Sequence, residues 1–158
     1  MRILNEFSRS EFLRVSEQIH ELIFNEEDLT KRDLEEIKKL LEQSSFYVAI
    51  ENNKICGFIS RERLKGTYFE IKSWYVIPSC RGTGLAKNLF NKAISDSQNT
   101  YICATFKKEV MNKIKLHKFK QIKLTDLPLK VLISYIFSRS WKSILKHLFV
   151  KRSYLLKS

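Results

Sequence analysis

The chain has 158 residues, of which 44% are hydrophobic and 12% aromatic, a composition typical of a folded protein and not of a disordered chain. Its formal net charge of +12 indicates an anionic ligand, either a nucleotide cofactor, a nucleic acid or a membrane surface. No apolar run approaches the roughly 18 residues of a membrane span, and the first residues lack a secretory signal. The three cysteines have no C-x-x-C spacing, which indicates free thiols and a cytoplasmic protein.

The charge is unevenly distributed along the sequence. Residues 1–50 carry 11 acids and 7 bases, whereas residues 51–126 carry 6 acids and 15 bases. Residues 127–158 carry 7 bases and no acid. We therefore expect an anionic ligand to bind in the second half of the chain, although the charge does not say which one.

Two helices are predicted near the N-terminus. Ser8 and Glu11 form the pattern of a capping box, and the helical spacing of apolar residues after it predicts a first helix that ends near Phe24. Thr30 is predicted to cap a second helix. The apolar stripe of that helix consists of Leu34, Ile37, Leu40 and Leu41.

Short runs rich in β-branched and aromatic residues follow, separated by turns, and they predict an antiparallel meander. Asn52 and Asn53 tolerate the positive φ of a tight turn, and Pro78 ends the last strand because it has no N–H to donate. The predicted strands are an opening strand Arg2–Phe7 and the meander strands Phe46–Ile50, Ile55–Leu64 and Tyr68–Ile77.

The order strand, glycine turn, helix, strand predicts a βαβ unit with two parallel strands. Its helix has an inner face formed by Leu85, Leu89, Phe90 and Ile94. The elements predicted after it are strand Tyr101–Phe106, helix Glu109–His117, strand Phe119–Leu124, a basic apolar helical segment over residues 127–150, and a closing strand Ser153–Lys157. We expect an α/β (α+β) protein with a mixed central sheet flanked by helices, in one domain that spans residues 1–158.

A glycine turn, Gly82-Thr83-Gly84, lies between the third meander strand and the helix. Backbone N–H groups at a helix start lack an intrahelical partner, and the helix dipole adds partial positive charge there. With Arg81 beside them, these groups favour a diphosphate ligand, although a tight turn without a ligand is the alternative. Ala86 and Lys87 break the G-x-G-x-x-G pattern and no Gly-Lys-Ser/Thr follows, which disfavours nicotinamide and nucleoside-triphosphate ligands.

Two motifs resemble the GNAT superfamily of N-acetyltransferases. Arg81-x-x-Gly84-x-Ala86 is similar to the acetyl-CoA signature of that family, and Glu70–Pro78 resembles its fourth strand. The resemblance extends more weakly over residues 46–122. It implies a GNAT fold and an acyl-CoA-dependent N-acyltransferase, which transfers acetyl from acetyl-CoA, or another acyl group from its CoA ester, to a primary amine of a small molecule or protein.

The resemblance also implies where the cosubstrate binds. In the family, the fourth and fifth strands splay apart and the pantetheine arm lies in the gap, where backbone groups of Trp74, Tyr75 and Val76 would bind it. The pyrophosphate would be held by Arg81, Gly82, Thr83, Gly84, Leu85 and Ala86.

Glu70 stands where several family members keep a catalytic glutamate, which implies a general base for the acceptor amine. The alternatives are a solvated strand carboxylate and an ion pair with Lys72, which lies on the same face of a regular strand. In the family motif Tyr-x-x-x-Gly-Phe, the tyrosine protonates the leaving thiolate, but Ile114 stands at that position here. Tyr75 and His117 are the candidate acids, unless the thiolate leaves without one.

The missing tyrosine also supports a second interpretation, a catalytically weak or inactive GNAT-fold module that binds CoA, RNA or a membrane surface. Cys80 is a candidate nucleophile of a ping-pong reaction, but we interpret it as an incidental small residue. His20 and His147 lie on predicted helices without a second ligand at i+4, so we expect no metal.

The basic apolar segment has three interpretations: a cover over the acceptor pocket, a packing helix with solvent-facing lysines, or a surface for membrane or RNA. The first is favoured. We expect a monomer or homodimer that binds acyl-CoA and an amine, with an anionic or amphipathic acceptor easier to dock than a polycation.

Overall fold

The computed structural model describes residues 1–105, 107–138 and 154–158. The strands in these residues are β1 (Arg2–Leu4), β2 (Phe46–Glu51), β3 (Lys54–Lys65), β4 (Tyr68–Val76), β5 (Thr100–Thr105), β6 (Lys120–Ile122) and β7 (Tyr154–Lys157). The α-helices are α1 (Arg9–Asn25), α2 (Leu34–Glu42), α3 (Leu85–Ala93), α4 (Lys108–Lys115) and α5 (Leu129–Phe137). Short 3₁₀ turns span Pro78–Cys80 and Leu124–Asp126.

The strands form a mixed sheet in the order β1-β2-β3-β4-β5-β7-β6. β4 and β5 are parallel, with Cα partners from Tyr68↔Thr100 to Ile71↔Cys103. The pairs β1–β2, β2–β3, β5–β7 and β6–β7 are antiparallel. The predicted meander followed by a βαβ unit is confirmed, because α3 lies in the connection between the two parallel strands.

The chain folds into two compact units. The first unit consists of Met1–Glu62 and Lys72–Ser95, and the second of Arg63–Ile71 and Asp96–Ser158. β3 and β4 contribute residues to both units, because the tip of the hairpin that joins them belongs to the second. A single domain over residues 1–158 stays a prediction.

In the first unit, the apolar faces of α1 and α2 share one core with β2 and β3. Phe46 and Phe58 make an edge-to-face contact in this core, with ring centroids 5.9 Å apart. Each large side chain buried in this way stabilises the fold by about 1.5–3 kcal/mol. The buried members are Val15, Ile19, Ile23, Ile37, Leu41, Phe46, Val48, Ile50, Ile55 and Phe58.

Both ends of α1 lie close to their predicted positions. At its start, the Glu11 carboxylate accepts hydrogen bonds from the N–H of Ser8 at 3.3 Å and from its hydroxyl at 2.7 Å. At its end, the Lys31 ammonium donates to three backbone carbonyl groups at 2.8 Å each, those of Ile23, Phe24 and Glu26. This side chain therefore satisfies carbonyl groups at the helix end, where partners within the helix are lacking.

The cap of α2 is Asp33, and the prediction of Thr30 is wrong. The Asp33 carboxylate accepts a hydrogen bond from the N–H of Glu36 at 2.7 Å. An aspartate is a stronger cap than a threonine, and its charge also interacts favourably with the helix dipole. Thr30 belongs to the connection, because the Lys31 beside it is bound to the end of α1.

α3 buries the face that its spacing predicts. Leu85, Leu89 and Phe90 are almost fully buried, and Ala93 completes this face. Ile94 is the C-terminal cap of the helix and is only partly buried. The helix therefore ends one residue before the last position of the predicted apolar stripe.

In the second unit, β7 pairs with both β5 and β6, which confirms the predicted closing strand over Tyr154–Lys157. The strand predicted over Phe119–Leu124 is shorter, and only Lys120–Ile122 are extended. It ends because the Asp126 carboxylate accepts from the N–H of Lys123 at 2.8 Å and begins a 3₁₀ turn. The buried core of this unit consists of Leu64, Ile102, Leu127, Val131, Tyr135 and Leu155.

The described part of the helical segment predicted over residues 127–150 is α5. The Ser134 hydroxyl donates to the Leu64 carbonyl at 2.8 Å, which joins this helix to the end of β3. Residues 139–150 of the predicted segment lie outside the described residues. Among the helices that the structure describes, none is long and apolar enough to cross a membrane.

Candidate active site

Ser73 interrupts the regular alternation of β4. Its φ of 46° is the left-handed conformation, which is rare for a side-chain-bearing residue within a strand. After it, Trp74 packs on Phe90 of α3 with ring centroids 4.9 Å apart. Tyr75 packs on Phe58 of the α1–α2 core with centroids 5.7 Å apart. The two neighbouring aromatic side chains therefore occupy opposite faces of the strand.

Lys72 lies on the same face of β4 as Tyr75, although regular alternation would place these two residues on opposite faces. Lys72 Nζ donates to Glu62 at 3.1 Å, and the same carboxylate accepts from Arg32 at 2.6 Å. Arg32 belongs to the α1–α2 connection, so this contact identifies the face. Ser73 is therefore a β-bulge, which shifts the strand register by one residue.

Gly57 in the middle of β3 permits a close approach of β4. A Cβ at this position would lie 2.7 Å from the carbonyl oxygen of Tyr75 and 3.1 Å from Cγ2 of Val76. The neighbouring Cys56 carbonyl accepts a hydrogen bond from the N–H of Ile77 at 3.0 Å. The end of β4 is thus held against β3 at a distance that only glycine allows.

The 3₁₀ turn Pro78–Cys80 leads from β4 to the glycine turn. The Thr83 hydroxyl donates to the Cys80 carbonyl at 2.8 Å and closes this connection. Gly82 and Gly84 have φ values of 81° and 78°, which glycine adopts without side-chain strain. A Cβ at either glycine would meet no atom within 4 Å, so the space beside the turn is open.

Gly84 is the N-cap of α3, and no side chain of a described residue caps the helix there. The first N–H groups of an α-helix have no partner within the helix and carry the positive end of its dipole. Residues 81–84 and Ala86 are exposed, whereas the side chain of Leu85 is buried. An anionic group at this turn can therefore accept several backbone hydrogen bonds.

Arg81 is exposed at the surface, yet two contacts fix it. Its Nε donates to the Val76 carbonyl at 3.0 Å, and its guanidinium lies 6.0 Å from the centroid of the Tyr75 ring. These contacts hold the guanidinium at the end of β4, one residue before Gly82, and a guanidinium is well suited to bind phosphate oxygens. The site thus joins the end of β4, the guanidinium and the helix N-terminus.

Tyr75 is held in its protonated form. Burial raises the pKa of its phenol above the ordinary value, and the Glu26 carboxylate raises it further, while Arg81 opposes both effects. At neutral pH the phenol therefore carries the proton that a general acid needs.

Glu70 lies in the part of β4 that belongs to the second unit, where its Cα pairs with that of Ile102 in β5. The residue is 1% exposed, so its interpretation as a solvated strand carboxylate is wrong. Glutamate is seldom this deeply buried unless it has a partner or a function. Its role as a general base stays a prediction.

The backbone of the family's tyrosine motif is retained without the tyrosine. Ile114 at the tyrosine position is 0% exposed and cannot donate a proton. Lys118 stands at the glycine position and keeps the left-handed conformation, with a φ of 67°. Phe119 is buried after it, and the N–H of the partly buried His117 donates to the Ile114 carbonyl at 2.9 Å. His117 as a general acid stays a prediction.

The cysteine and histidine candidates belong to other contacts. Burial raises the pKa of Cys56 to about 11, and its hydrogen bond with the Cys80 thiol adds to this, so Cys56 is a neutral thiol at neutral pH. His20 lies against Phe24 of α1, and His147 lies outside the described residues. Within the described ranges, no group of three His, Cys, Asp or Glu side chains could hold a metal.

Comparisons with known proteins identify the family. The family model of the acetyltransferase (GNAT) family matches residues 6–119. The fold is similar to that of Rv2747 from Mycobacterium tuberculosis, solved with CoA, at a TM-score of 0.71 and 16% identity, over 99% of this chain and 98% of the other. It is also similar to a GNAT acetyltransferase of Staphylococcus aureus Mu50, at a TM-score of 0.63 and 23% identity, over 99% and 96% of the two chains.

A third similar structure is the diaminobutyrate acetyltransferase EctA from Paenibacillus lautus, solved with L-2,4-diaminobutyric acid and CoA. Its TM-score is 0.58 at 15% identity, over 70% of this chain and 75% of the other. No curated protein matches the sequence. Since the family model spans well over half of the chain, this protein belongs to the acetyltransferase (GNAT) family.

Two residues that shape the end of β4, Ser73 and Gly57, were not predicted from the sequence. Ser73 gave no signal, because serine is common in strands and nothing in its neighbours indicates a positive φ. Gly57 did give a signal, since a glycine within a strand often indicates a bulge or a close backbone approach.

Proposed function

We propose that this protein is an acyl-CoA-dependent N-acyltransferase that transfers acetyl from acetyl-CoA directly to a primary amine. The proposal rests on the position of Arg81, which is bound to the end of β4 and precedes Gly84, the N-cap of α3, by three residues. A diphosphate requires both a cation and several hydrogen-bond donors, and this turn offers both.

The residues of the turn fit the pyrophosphate of CoA. Gly82 and Gly84 leave open space, so phosphate oxygens can approach the backbone of the turn. The backbone of Trp74, Tyr75 and Val76 binds the pantetheine arm, as the family resemblance implies. The bulge at Ser73 supports this role, because it turns the backbone of these residues out of the regular strand pattern.

Bound acetyl-CoA supplies an activated thioester. Glu70 accepts a proton from the acceptor ammonium, directly or through a water, so that the neutral amine can attack. As the C–N bond forms and the C–S bond breaks, the Tyr75 phenol donates its proton to the departing sulfur. The nitrogen of the new amide then releases its extra proton, which restores the phenol. The phenol is protonated at neutral pH, as this role requires, and its raised pKa makes it a weaker acid than an ordinary tyrosine.

Small amino acids with a free side-chain amine are the first acceptors to test. The similar EctA structure contains L-2,4-diaminobutyric acid, and a carboxylate-bearing acceptor suits a chain of net charge +12 better than a polyamine does.

The test of the cosubstrate site is thermal unfolding with and without saturating acetyl-CoA. A ligand at about 100 times its Kd adds about 2.7 kcal/mol, which raises Tm by roughly 5–10 °C in a chain of this size. Gly84→Glu should abolish this shift, because it places a carboxylate in the diphosphate site. Gly66→Glu is the matched control, since Gly66 also has a positive φ and open space around it but lies in the β3–β4 turn.

Two outcomes would each contradict the assignment of the acetyl-CoA site. One is no Tm shift in folded wild type, and the other is an equal Tm shift in wild type and Gly84→Glu. Loss of the shift in both glycine variants would assign the effect of Gly84→Glu to backbone strain and would contradict the placement of the diphosphate site at Gly84.

A second candidate function is a CoA-binding module without turnover. The observation in its favour is the buried Ile114, which removes the usual general acid of the family. Chromatographic detection of CoA released from acetyl-CoA in the presence of amine panels separates the two functions. A clear Tm shift without turnover of any amine would favour the module.

A further inference from the structure

The strongest observation outside the acyltransferase site concerns α5, which presents an apolar face to solvent. Residues at helical spacing form this face, while Val131 and Tyr135 on the same helix are buried in the core of the second unit. The exposed fractions are 70% for Leu129, 47% for Ile133, 40% for Ile136 and 84% for Phe137. We call these four residues the α5 face.

Two lysines lie at the edge of the α5 face. Lys65 and Lys130 are exposed and, with Leu64, Ile133 and Ser134, line an open cavity of about 470 Å³. A cavity with an apolar floor and two ammonium groups suits a ligand that is both anionic and hydrocarbon-rich.

The charge of the second unit is mostly positive. The second unit carries 16 bases and 4 acids in the sequence, and residues 127–158 contain no acid. The nearest preceding acid is Asp126, and its carboxylate already accepts a backbone hydrogen bond from Lys123. An anionic partner therefore fits this surface best.

The chemistry favours a lipid surface over RNA and over a second copy of the chain. RNA offers phosphates to lysines but gives no comparable environment for the aliphatic Leu129, Ile133 and Ile136. A second copy would bring two more lysines against Lys65 and Lys130, which repel each other. An anionic membrane satisfies both features, because the apolar side chains enter the acyl boundary while lysines contact lipid phosphates.

We infer that the α5 face, with Lys65 and Lys130, docks this protein on an anionic phospholipid membrane. The inference goes beyond the acyltransferase function. It concerns the second unit, whereas the diphosphate site lies in the first.

The test is co-sedimentation of the full chain with vesicles of phosphatidylcholine, with and without phosphatidylglycerol. We expect binding to the anionic vesicles that weakens with salt and is at least tenfold weaker on neutral ones. Lys65→Glu/Lys130→Glu should lower the partition coefficient by roughly 10-fold or more. Phe137→Ser should lower it by at least about 5-fold, because it removes an apolar anchor.

Matched controls lie in the first unit. Phe24 is 70% exposed on α1, so Phe24→Ser makes the same chemical change away from the α5 face. Lys39→Glu/Lys54→Glu reverses two exposed lysines in the same way. Both controls should keep wild-type vesicle binding. Thermal unfolding checks that every variant is folded. We expect all of them to fold, because the substituted side chains are highly exposed.

Three outcomes would overturn the inference. The first is no preference for anionic vesicles. The second combines two results: Phe137→Ser leaves vesicle binding unchanged, and the lysine variant loses affinity both for vesicles and for a fluorescent single-stranded RNA. That combination would indicate RNA as the partner. The third is a dimer in light scattering that Phe137→Ser converts to a monomer, which would assign the face to a second copy. The acetyl-CoA Tm shift is measured without vesicles, so failure of one proposal leaves the other intact.

Discussion

The two units differ in how they use charge. The first unit carries 13 acids and 13 bases and is formally neutral, whereas the second carries 16 bases and 4 acids and holds the entire net charge of +12. Six ion pairs among the described residues lie in the first unit, and a network around Arg32 is the most buried of them. The first unit therefore uses part of its charge internally, in ion pairs between its own residues.

The network around Arg32 illustrates this internal use. The Arg32 side chain is 5% exposed and contacts both Glu36 and Glu62, and Glu62 also accepts from Lys72. These contacts join the α1–α2 connection to β3 and β4. In the second unit the bases outnumber the acids by 16 to 4, so most cations have no carboxylate of their own unit to pair with. Those cations are available to external anions.

The largest expected effect compares two mostly buried carboxylates, one from each unit. Glu70→Gln in the second unit should lower kcat by at least about 100-fold, because glutamine cannot accept the amine proton. Glu62→Gln in the first unit should instead lower the free energy of unfolding by about 1–3 kcal/mol, because it leaves buried cations poorly compensated. Steady-state kinetics and urea denaturation of both variants measure these effects. A kcat for Glu70→Gln near the wild-type value would remove Glu70 from the mechanism.

A smaller effect concerns the core of the neutral first unit. Folding raises the pKa of Cys56 from 9.0 to about 11, so the stability of the fold is complete below pH 9 and falls as pH rises toward 11. Between pH 8 and 11, wild type should lose roughly 2 kcal/mol more stability than Cys56→Ala. Urea denaturation across this pH range measures the difference, and parallel curves for the two proteins would contradict the assigned pKa.

The smallest effect tests the backbone of the second unit. Lys118 has a φ of 67° without being glycine, so Lys118→Gly should raise the free energy of unfolding by about 1 kcal/mol. Lys115→Gly, in α4, is the control and should lower it by about 0.5–1 kcal/mol. Chemical denaturation separates the two signs, and a destabilised Lys118→Gly would mean that the lysine side chain contributes more than the strain costs.

Much of the fold could be predicted, because periodicity and turn chemistry are local properties. The face of α3 and the parallel β4–β5 pair followed from helical spacing and from the βαβ order. The start of α2 could not be predicted from the sequence, because Thr30 and Asp33 are both acceptable N-caps. The choice depends on Lys31, which binds carbonyl groups of a different helix.

The site was predictable only in part. The glycine turn and Arg81 follow a local motif, and the structure places them together. The burial of Glu70 could not be predicted, because alternation assigns a residue to a face without saying what covers that face. The left-handed conformation of Ser73 could not be predicted either, since it goes with the tertiary packing of Trp74 on Phe90 and of Tyr75 on Phe58.

The bulge at Ser73 also has a consequence for how this sequence can vary. Straightening the bulge while keeping every residue would restore regular alternation and exchange the environments of Trp74 and Tyr75. Trp74 would then have to leave Phe90, and Tyr75 would lose its contact with Phe58. A related chain with a regular β4 should therefore have one residue fewer at this position, so that the bulge and the extra residue are gained or lost together.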